Sequence, residues 1–194
     1  SDAEGNAAVA VVRTVNVVDT TAPVITLTGD ATTTTEALST YTDLSATASD
    51  IHDGTLTVAA TSTVAANTVG AYTVTYNVSD AADNAATAVV RTVNVVDTTA
   101  PVITITPVSE TFPGLFDDSS IGEPDFELEV GSTYPELGAT ATDSYDGDLT
   151  GSIIITYLSD VNGDFVSEID TGGEDQIEVS YKVTDAAGNE SEES

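Results

Sequence analysis

The chain of 194 residues carries 33 acidic side chains against 3 basic ones, a formal charge of −30; nucleic acid and anionic membrane surfaces are therefore poor partners, since both are held by Lys and Arg that displace counterions. Cys is absent, so neither disulfides nor thiol chemistry contribute, and stability must come from packing, strand ladders or bound ions. The length suits about two ordinary domains. No apolar run approaches the roughly 20 residues of a membrane span, and no charged start followed by an apolar stretch marks a signal peptide. That leaves a cytoplasmic chain or one whose signal has been removed, the latter implying an extracellular or cell-surface location. So acidic a surface resists its own compaction unless counterions bind, which makes divalent cations fitting partners. The same composition also serves solubility, or life in salt.

Residues 7 to 28, AAVAVVRTVNVVDTTAPVITLT, return as residues 85 to 106 with only Val9/Thr87 and Leu27/Ile105 changed. Residue 7 thus corresponds to residue 85, a period of 78 residues that marks an array of domains. Runs such as Thr73-Val-Thr-Tyr-Asn-Val78, Ile153-Ile-Ile-Thr-Tyr157 and Ile177-Glu-Val-Ser-Tyr-Lys-Val183 are rich in β-branched and aromatic residues and bounded by Asp, Asn or Gly. This is strand chemistry, nothing sustains a helical period, and several short strands per repeat predict an all-β chain of two tandem β-sandwich domains. In Arg13-Thr-Val-Asn-Val-Val18, Val15 and Val17 share one face, and continuing that face backwards puts Arg13 in the core. A bulge that shifts the register onto Val12 and Ala10 would remove the conflict.

Tyr41 to Asp50 aligns with Tyr134 to Asp143, an offset of 93 that exceeds the repeat by 15 residues, and Asp80 aligns with Asp185 at an offset of 105, which adds another 12. The first insert falls around Thr111 to Phe126 and reads as a surface loop; the second falls around Asp160 to Gly173. The expected organisation is an N-terminal orphan strand over residues 1–18, a first domain over 19–97 and a second over 98–194 that lacks its last strand. The linker Val-Val-Asp-Thr-Thr-Ala-Pro has no Gly, which predicts domains joined end to end with restricted swing.

Three acidic motifs recur in each repeat. They are the linker aspartate (Asp19, Asp97), Asp50-Ile-His-Asp53-Gly54 matched by Asp143-Ser-Tyr-Asp146-Gly147, and Asp80-Ala-Ala-Asp83-Asn84 matched by Asp185-Ala-Ala-Gly188-Asn189. With V-V-D-T-T-A-P between them, these motifs resemble the calcium-binding immunoglobulin-like repeats of bacterial surface proteins and adhesin stalks, over nearly the whole chain. The resemblance implies an immunoglobulin-like fold, in which the linker and two loops cluster at one end of each domain. The implied Ca²⁺ sites are Asp19, Asp50, Asp53, Asp80 and Asn84 in the first domain, and Asp97, Asp143, Asp146, Asp185 and Asn189 in the second. Hard oxygen ligands in loops suit Ca²⁺ better than Mg²⁺, and the lack of Cys and the single His exclude a typical zinc site. The competing reading is that these Asp and Asn residues merely form turns at loop starts. Asp83 fits least well as a ligand, because the second repeat has Gly188 there.

Other motifs carry less. Asp160-Val-Asn162-Gly163-Asp164 opens like an EF-hand loop, but Phe165 and Thr171 stand where Gly and Glu are required, so a tight hairpin turn is the better reading. His52 lies in the acidic loop, where a carbonyl ligand or a solvated side chain fits better than catalysis. No nucleophile has a base beside it, and no enzyme activity or small-molecule substrate is expected. The tyrosines Tyr41, Tyr72, Tyr134, Tyr145 and Tyr157 sit mostly at strand positions, which favours core packing over a sugar-binding platform.

The two unmatched repeat copies suggest that residues 7–18 complete another copy's second domain by strand addition, as in donor-strand assembly of pilins. Val9, Val11, Val12, Val15 and Val17 would form the polymer interface. Such a contact joins two different surfaces and so propagates into a head-to-tail homopolymer. The expected function is thus a structural subunit of an extracellular filament rigidified by Ca²⁺. A calcium-stiffened stalk segment of a large surface adhesin is the first alternative, favoured by the duplication of Thr184–Asn189 at Ser1–Asn6; a carbohydrate-binding or enzyme-accessory module is the second.

Overall fold

Alternation of β-branched or aromatic residues with Thr, Ser and Asn lets one face of each strand pack while the other meets water. In the computed structural model the described residues are 3–106, 115–117, 126–128, 130–134, 136–159, 165–166, 172 and 177–191, and no α-helix occurs among them. The chain divides into two units, one of residues 1–35 and 39–95, the other of residues 36–38 and 96–194.

In the first unit, β1 (Val24–Leu27), β3 (Ala46–Asp50) and β4 (Gly54–Leu56) form one sheet in the order β1-β3-β4. β2 (Thr32–Glu36), β5 (Ala59–Ser62), β6 (Gly70–Asn77) and β7 (Val89–Val96) form the other in the order β2-β7-β6-β5. Val74 and Tyr76 of β6 and Val93 of β7 are buried, and Ile25, Leu27 and Ala46 of the opposite sheet pack on them together with Tyr41, Val58 and Val64. This is the expected sandwich, with its core between two antiparallel sheets.

β7 departs from expectation at one point. Its register on β6 runs unbroken from Gly70↔Val95 to Tyr76↔Val89, and Arg91, Val93 and Val95 all face inward, Arg91 with 0% of its surface exposed. The strand uses no bulge to remove its arginine from the core. The charge is neutralised where it stands, by a partner described below.

The second unit repeats the plan. β8 (Val102–Ile105), β11 (Ala139–Asp143) and β12 (Gly147–Asp148) form one sheet in the order β12-β11-β8. β13 (Ile154–Ser159), β14 (Phe165–Val166) and β15 (Ile177–Lys182) form another in the order β14-β13-β15. The first insert is more than a loop, since β9 (Leu115–Asp117) and β10 (Phe126–Leu128) pair antiparallel within and beside it. In the second insert β14 pairs antiparallel with β13, Tyr157 opposite Val166. This agrees with a hairpin, although the Asn162-Gly163 turn and the rest of the EF-hand-like stretch 160–164 lie outside the described residues.

β15 corresponds to β6, since Tyr181 matches Tyr76 and each stands at the same place in the strand. β6 is flanked by β5 and β7, whereas β15 is the edge strand of its sheet among the described residues. Residues 5–18 form no strand and are exposed, Val11 to 97% and Val17 to 94%.

Candidate metal centres

Each acidic cluster is assembled from the same three segments. Asp19 precedes β1, Asp50 ends β3 and Asp80 follows β6; Asp97 precedes β8, Asp143 ends β11 and Asp185 follows β15. Carboxylate oxygens of Asp19, Asp50 and Asp80 lie within 4.8 Å of one another, as do those of Asp97, Asp143 and Asp146. Asp50, Asp80, Asp97, Asp143 and Asp185 are all buried.

The hydrogen bonds show how the loops hold these side chains. Asp50 Oδ1 accepts the backbone N–H groups of His52 (2.7 Å) and Asp53 (3.1 Å), and Asp143 Oδ1 accepts those of Tyr145 (2.7 Å) and Asp146 (2.9 Å). Asp53 and Asp146 reach to the neighbouring loop, where their Oδ2 atoms accept the N–H of Ala81 and of Ala186, both at 2.7 Å. Asp80 accepts from the Asn84 backbone (2.7 Å) and side chain (2.8 Å), and Asp185 does the same with Asn189 (2.8 and 2.7 Å). The amide nitrogens of Asn84 and Asn189 also donate to the carbonyls of Asp19 and Asp97, each at 3.3 Å, which ties the entering chain to the loop. Thr21 and Thr99 donate their N–H groups to Asp19 Oδ1 and Asp97 Oδ1.

The Asx-turn reading is therefore correct for Oδ1, and it leaves Oδ2 over. Oδ2 of Asp19, Asp50, Asp97 and Asp143 is buried without a hydrogen-bond donor. A buried anionic oxygen left unsatisfied is costly, and several facing one another more so. A divalent cation held by these oxygens would relieve both penalties, so each aspartate cluster could hold a metal ion. The Asp97 carboxyl is pushed above its ordinary range, first by burial and then by the charges of Asp143, Asp185 and Glu36, as expected where carboxylates crowd. Asp50 is held low by the N–H groups of His52 and Asp53. For Asp185 burial acts upward, but the donors of Asn189 outweigh it and the carboxyl is lowered.

Of the ten predicted residues, the structure brings together carboxylates of six, Asp19, Asp50, Asp80, Asp97, Asp143 and Asp146, and ties Asp53, Asn84, Asp185 and Asn189 to the same loops by hydrogen bonds. Asp83 is exposed with φ of 65°, and Gly188 at the matching place has φ of 93°. What the two residues share is a left-handed backbone that Gly adopts freely and Asp tolerates. His52 is exposed, its Nδ1 lies 3.0 Å from Asp53 Oδ1, and that bond followed by the charges of Asp53 and Asp19 raises its pKa. Glu36 was not legible as part of a site. Its carboxylate accepts the Thr98 N–H (2.9 Å) and the hydroxyls of Thr98 (2.7 Å) and Thr99 (3.1 Å), fixing the chain just beyond Asp97.

A second constellation also went unread in the sequence. All five N–H donors of Arg91 are satisfied: Nε by the Asp30 carbonyl, Nη1 by Asp43 Oδ1 and the Tyr76 hydroxyl, and Nη2 by the carbonyls of Thr28 and Ser45. Tyr41 and Tyr76 donate their hydroxyls to the same Asp43 oxygen, and the guanidinium carbon lies 5.6 Å from the centre of the Tyr76 ring. The Tyr76 hydroxyl pKa is pushed up to about 12, by burial and then by Asp43. The signal available was that Arg13 and Arg91, two of only three basic residues, occupy the same repeat position, as do Asp43 and Glu136. In the second unit Glu136 accepts the hydroxyls of Tyr181 (2.6 Å), Tyr157 (3.2 Å) and Tyr134 (3.3 Å).

The proposed interface valines, Val9, Val11, Val12, Val15 and Val17, are all exposed. Their counterparts in and before β7 sort by face. Val93 and Val95, matching Val15 and Val17, are buried; Val89, matching Val11, is half-buried; Val90 and Thr87, matching Val12 and Val9, are exposed.

Comparison with known proteins gives a family but no detailed relative. No curated protein matches the chain. A solved lipoprotein from Bacteroides thetaiotaomicron is similar at 15% identity with a TM-score of 0.36, covering 87% of this chain and 96% of that one. A structure of CBM51-2 in complex with GlcNAc and INT domains, from Clostridium perfringens ZmpB, is similar at 19% identity with a TM-score of 0.32, covering 81% of this chain and 40% of that one. The family described as bacterial surface protein, Ig-like domain, matches residues 25–95 and 120–194, one match per repeat and most of the chain between them. The chain belongs to the bacterial surface Ig-like proteins, as two tandem Ig-like domains.

Proposed function

We propose that the chain is a non-catalytic structural subunit of an extracellular bacterial filament, in which residues 7–18 of one copy add as a strand along β15 of the next. The observation that carries this reading is internal. Residues 7–18 differ from residues 85–96 only at Val9/Thr87; the later copy forms β7 and covers β6, while the earlier copy lies exposed and β15, the counterpart of β6, is an edge strand among the described residues. Val15 and Val17 enter the core as Val93 and Val95 do, each contributing on the order of 1.5 to 3 kcal/mol when fully buried. Ca²⁺ at each acidic cluster fixes the segment that enters the domain, so that load passes along the backbone into the loops. Nucleic acid, membrane insertion and small-molecule substrates have no part in this role.

The stalk-segment reading rests on the same two domains and the same ions. Electron microscopy separates the two. The filament reading expects long fibres in calcium that disappear when Val15→Asp and Val17→Asp are combined, whereas an intact chain that stays monomeric at high concentration in calcium would refute it and leave the stalk.

A further inference from the structure

We infer that Glu136, Tyr181 and the carbonyls of Thr106 and Gly138 form a socket for the guanidinium of Arg13 from a second copy of the chain, and that this contact sets the register of strand addition. The inference rests on the strand-addition reading above and adds to it a specificity-determining residue pair.

The first unit supplies the filled template. There the guanidinium of Arg91 is held by Asp43, Tyr76 and the carbonyls of Thr28 and Ser45. Each of these has a counterpart in the second unit: Glu136, Tyr181, Thr106 and Gly138. The backbone beneath them is the same, because Thr28 donates its N–H to the Ser45 carbonyl at 3.1 Å and Thr106 donates to the Gly138 carbonyl at 3.0 Å. Tyr181 is 6% exposed and donates to Glu136, as Tyr76 donates to Asp43. Since Asp43 takes tyrosine hydroxyls and Arg91 together, the tyrosine bonds of Glu136 are compatible with an arriving arginine.

The second unit has no arginine of its own. Its single basic residue, Lys182, is exposed, with its Nζ 2.8 Å from Glu190. Arg91 is fully engaged with Asp43, which leaves Arg13, exposed on the segment that repeats β7. Applying the β7–β6 register to β15 sets Arg13 opposite Val179 and Val11 opposite Tyr181, as Arg91 stands opposite Val74 and Val89 opposite Tyr76. A slip of one residue would carry the guanidinium to the other face of the strand and leave it far from Glu136.

The test uses the full chain carrying Val15→Asp and Val17→Asp, whose own segment cannot insert, and a fluorescently labelled peptide of residues 7–18. Binding is read by anisotropy in calcium. The expected result is saturable binding of the wild-type peptide, weakened at least about tenfold by Arg13→Ala in the peptide or by Glu136→Gln in the chain. The two changes together should weaken it little more than either alone, the mark of a direct pair. The peptide variant leaves the receptor's fold untouched. If the wild-type peptide binds but Arg13→Ala and Glu136→Gln are each neutral, or simply additive, the socket is refuted while strand addition stands. If the wild-type peptide does not bind at all, both fall together.

Discussion

Residues 7–18 and 85–96 are the same sequence but for one side chain, yet the second copy contains β7, with Arg91 and Val93 entirely buried, while the first is exposed and without regular structure. Local preference for β structure is equal in the two, so it cannot decide between them. The deciding term is the neighbour: β7 has β2 on one side and β6 on the other, a carboxylate for its arginine and a core for its valines. A strand is thus a property of an edge as much as of a sequence, and an arginine that looks misplaced in isolation becomes a side chain with every N–H donor satisfied.

The sharpest way to break this comparison is to mutate the two arginines separately. Arg91→Ala leaves Asp43 without its cation inside the first unit and should cost about 3 kcal/mol, the lower part of the range for a buried pair because the carboxylate is partly exposed. Arg13→Ala should leave the unfolding of the dispersed chain unchanged. Denaturant titration measures both, and equal effects would mean that the two segments are not in different environments.

Calcium should act on the two units alike where the arginine does not. With free Ca²⁺ a hundredfold above its dissociation constant, each domain gains about 2.7 kcal/mol, and chelation should lower both melting transitions. Asp50→Asn should remove the response of the first unit only and Asp143→Asn that of the second, as read by calorimetry with and without chelator. Melting curves indifferent to chelator would remove the metal from the reading. The smallest expected effect belongs to Asp83. Asp83→Gly relaxes a left-handed residue into the one its counterpart already uses and should stabilise by less than about 1 kcal/mol, with calcium affinity unchanged in a titration. A large loss of affinity would make Asp83 a ligand after all.

Much of the sandwich was legible because its signals are local: β-branched alternation, turn residues and a repeat long enough to phase the motifs. The acidic clusters were legible for a related reason, since three short motifs recurring in fixed order must meet at one end of an Ig-like fold. The division of labour within each carboxylate was not. Sequence shows that Asp50 begins a turn or faces an ion, and only geometry shows that Oδ1 does the first while Oδ2 is buried without a hydrogen-bond donor. The Arg91 network was missed because its partners are distant in sequence, with Thr28, Asp43 and Tyr76 on separate segments, and because a charged residue on an apolar face reads as an error of register until its acid is found. Strand pairing within the first insert was missed because Pro, Gly and Asp mark turns without showing what lies between them.

The paired use of the two oxygens has a consequence for how fast an ion could be captured. Loops that must reorganise around a cation bind slowly and lose affinity to the ordering of their own chain. Here the backbone donors of His52 and Asp53, and of Tyr145 and Asp146, bond the first oxygen of the aspartate that leads each turn, an arrangement that would lower the ordering cost of binding. A cation captured there would have mainly its own hydration shell to shed. For a protein at a cell surface, where calcium rises and falls with the surroundings, such a site would respond as quickly as water exchanges on the ion, and the conformation it stabilises would be the one the loops already hold.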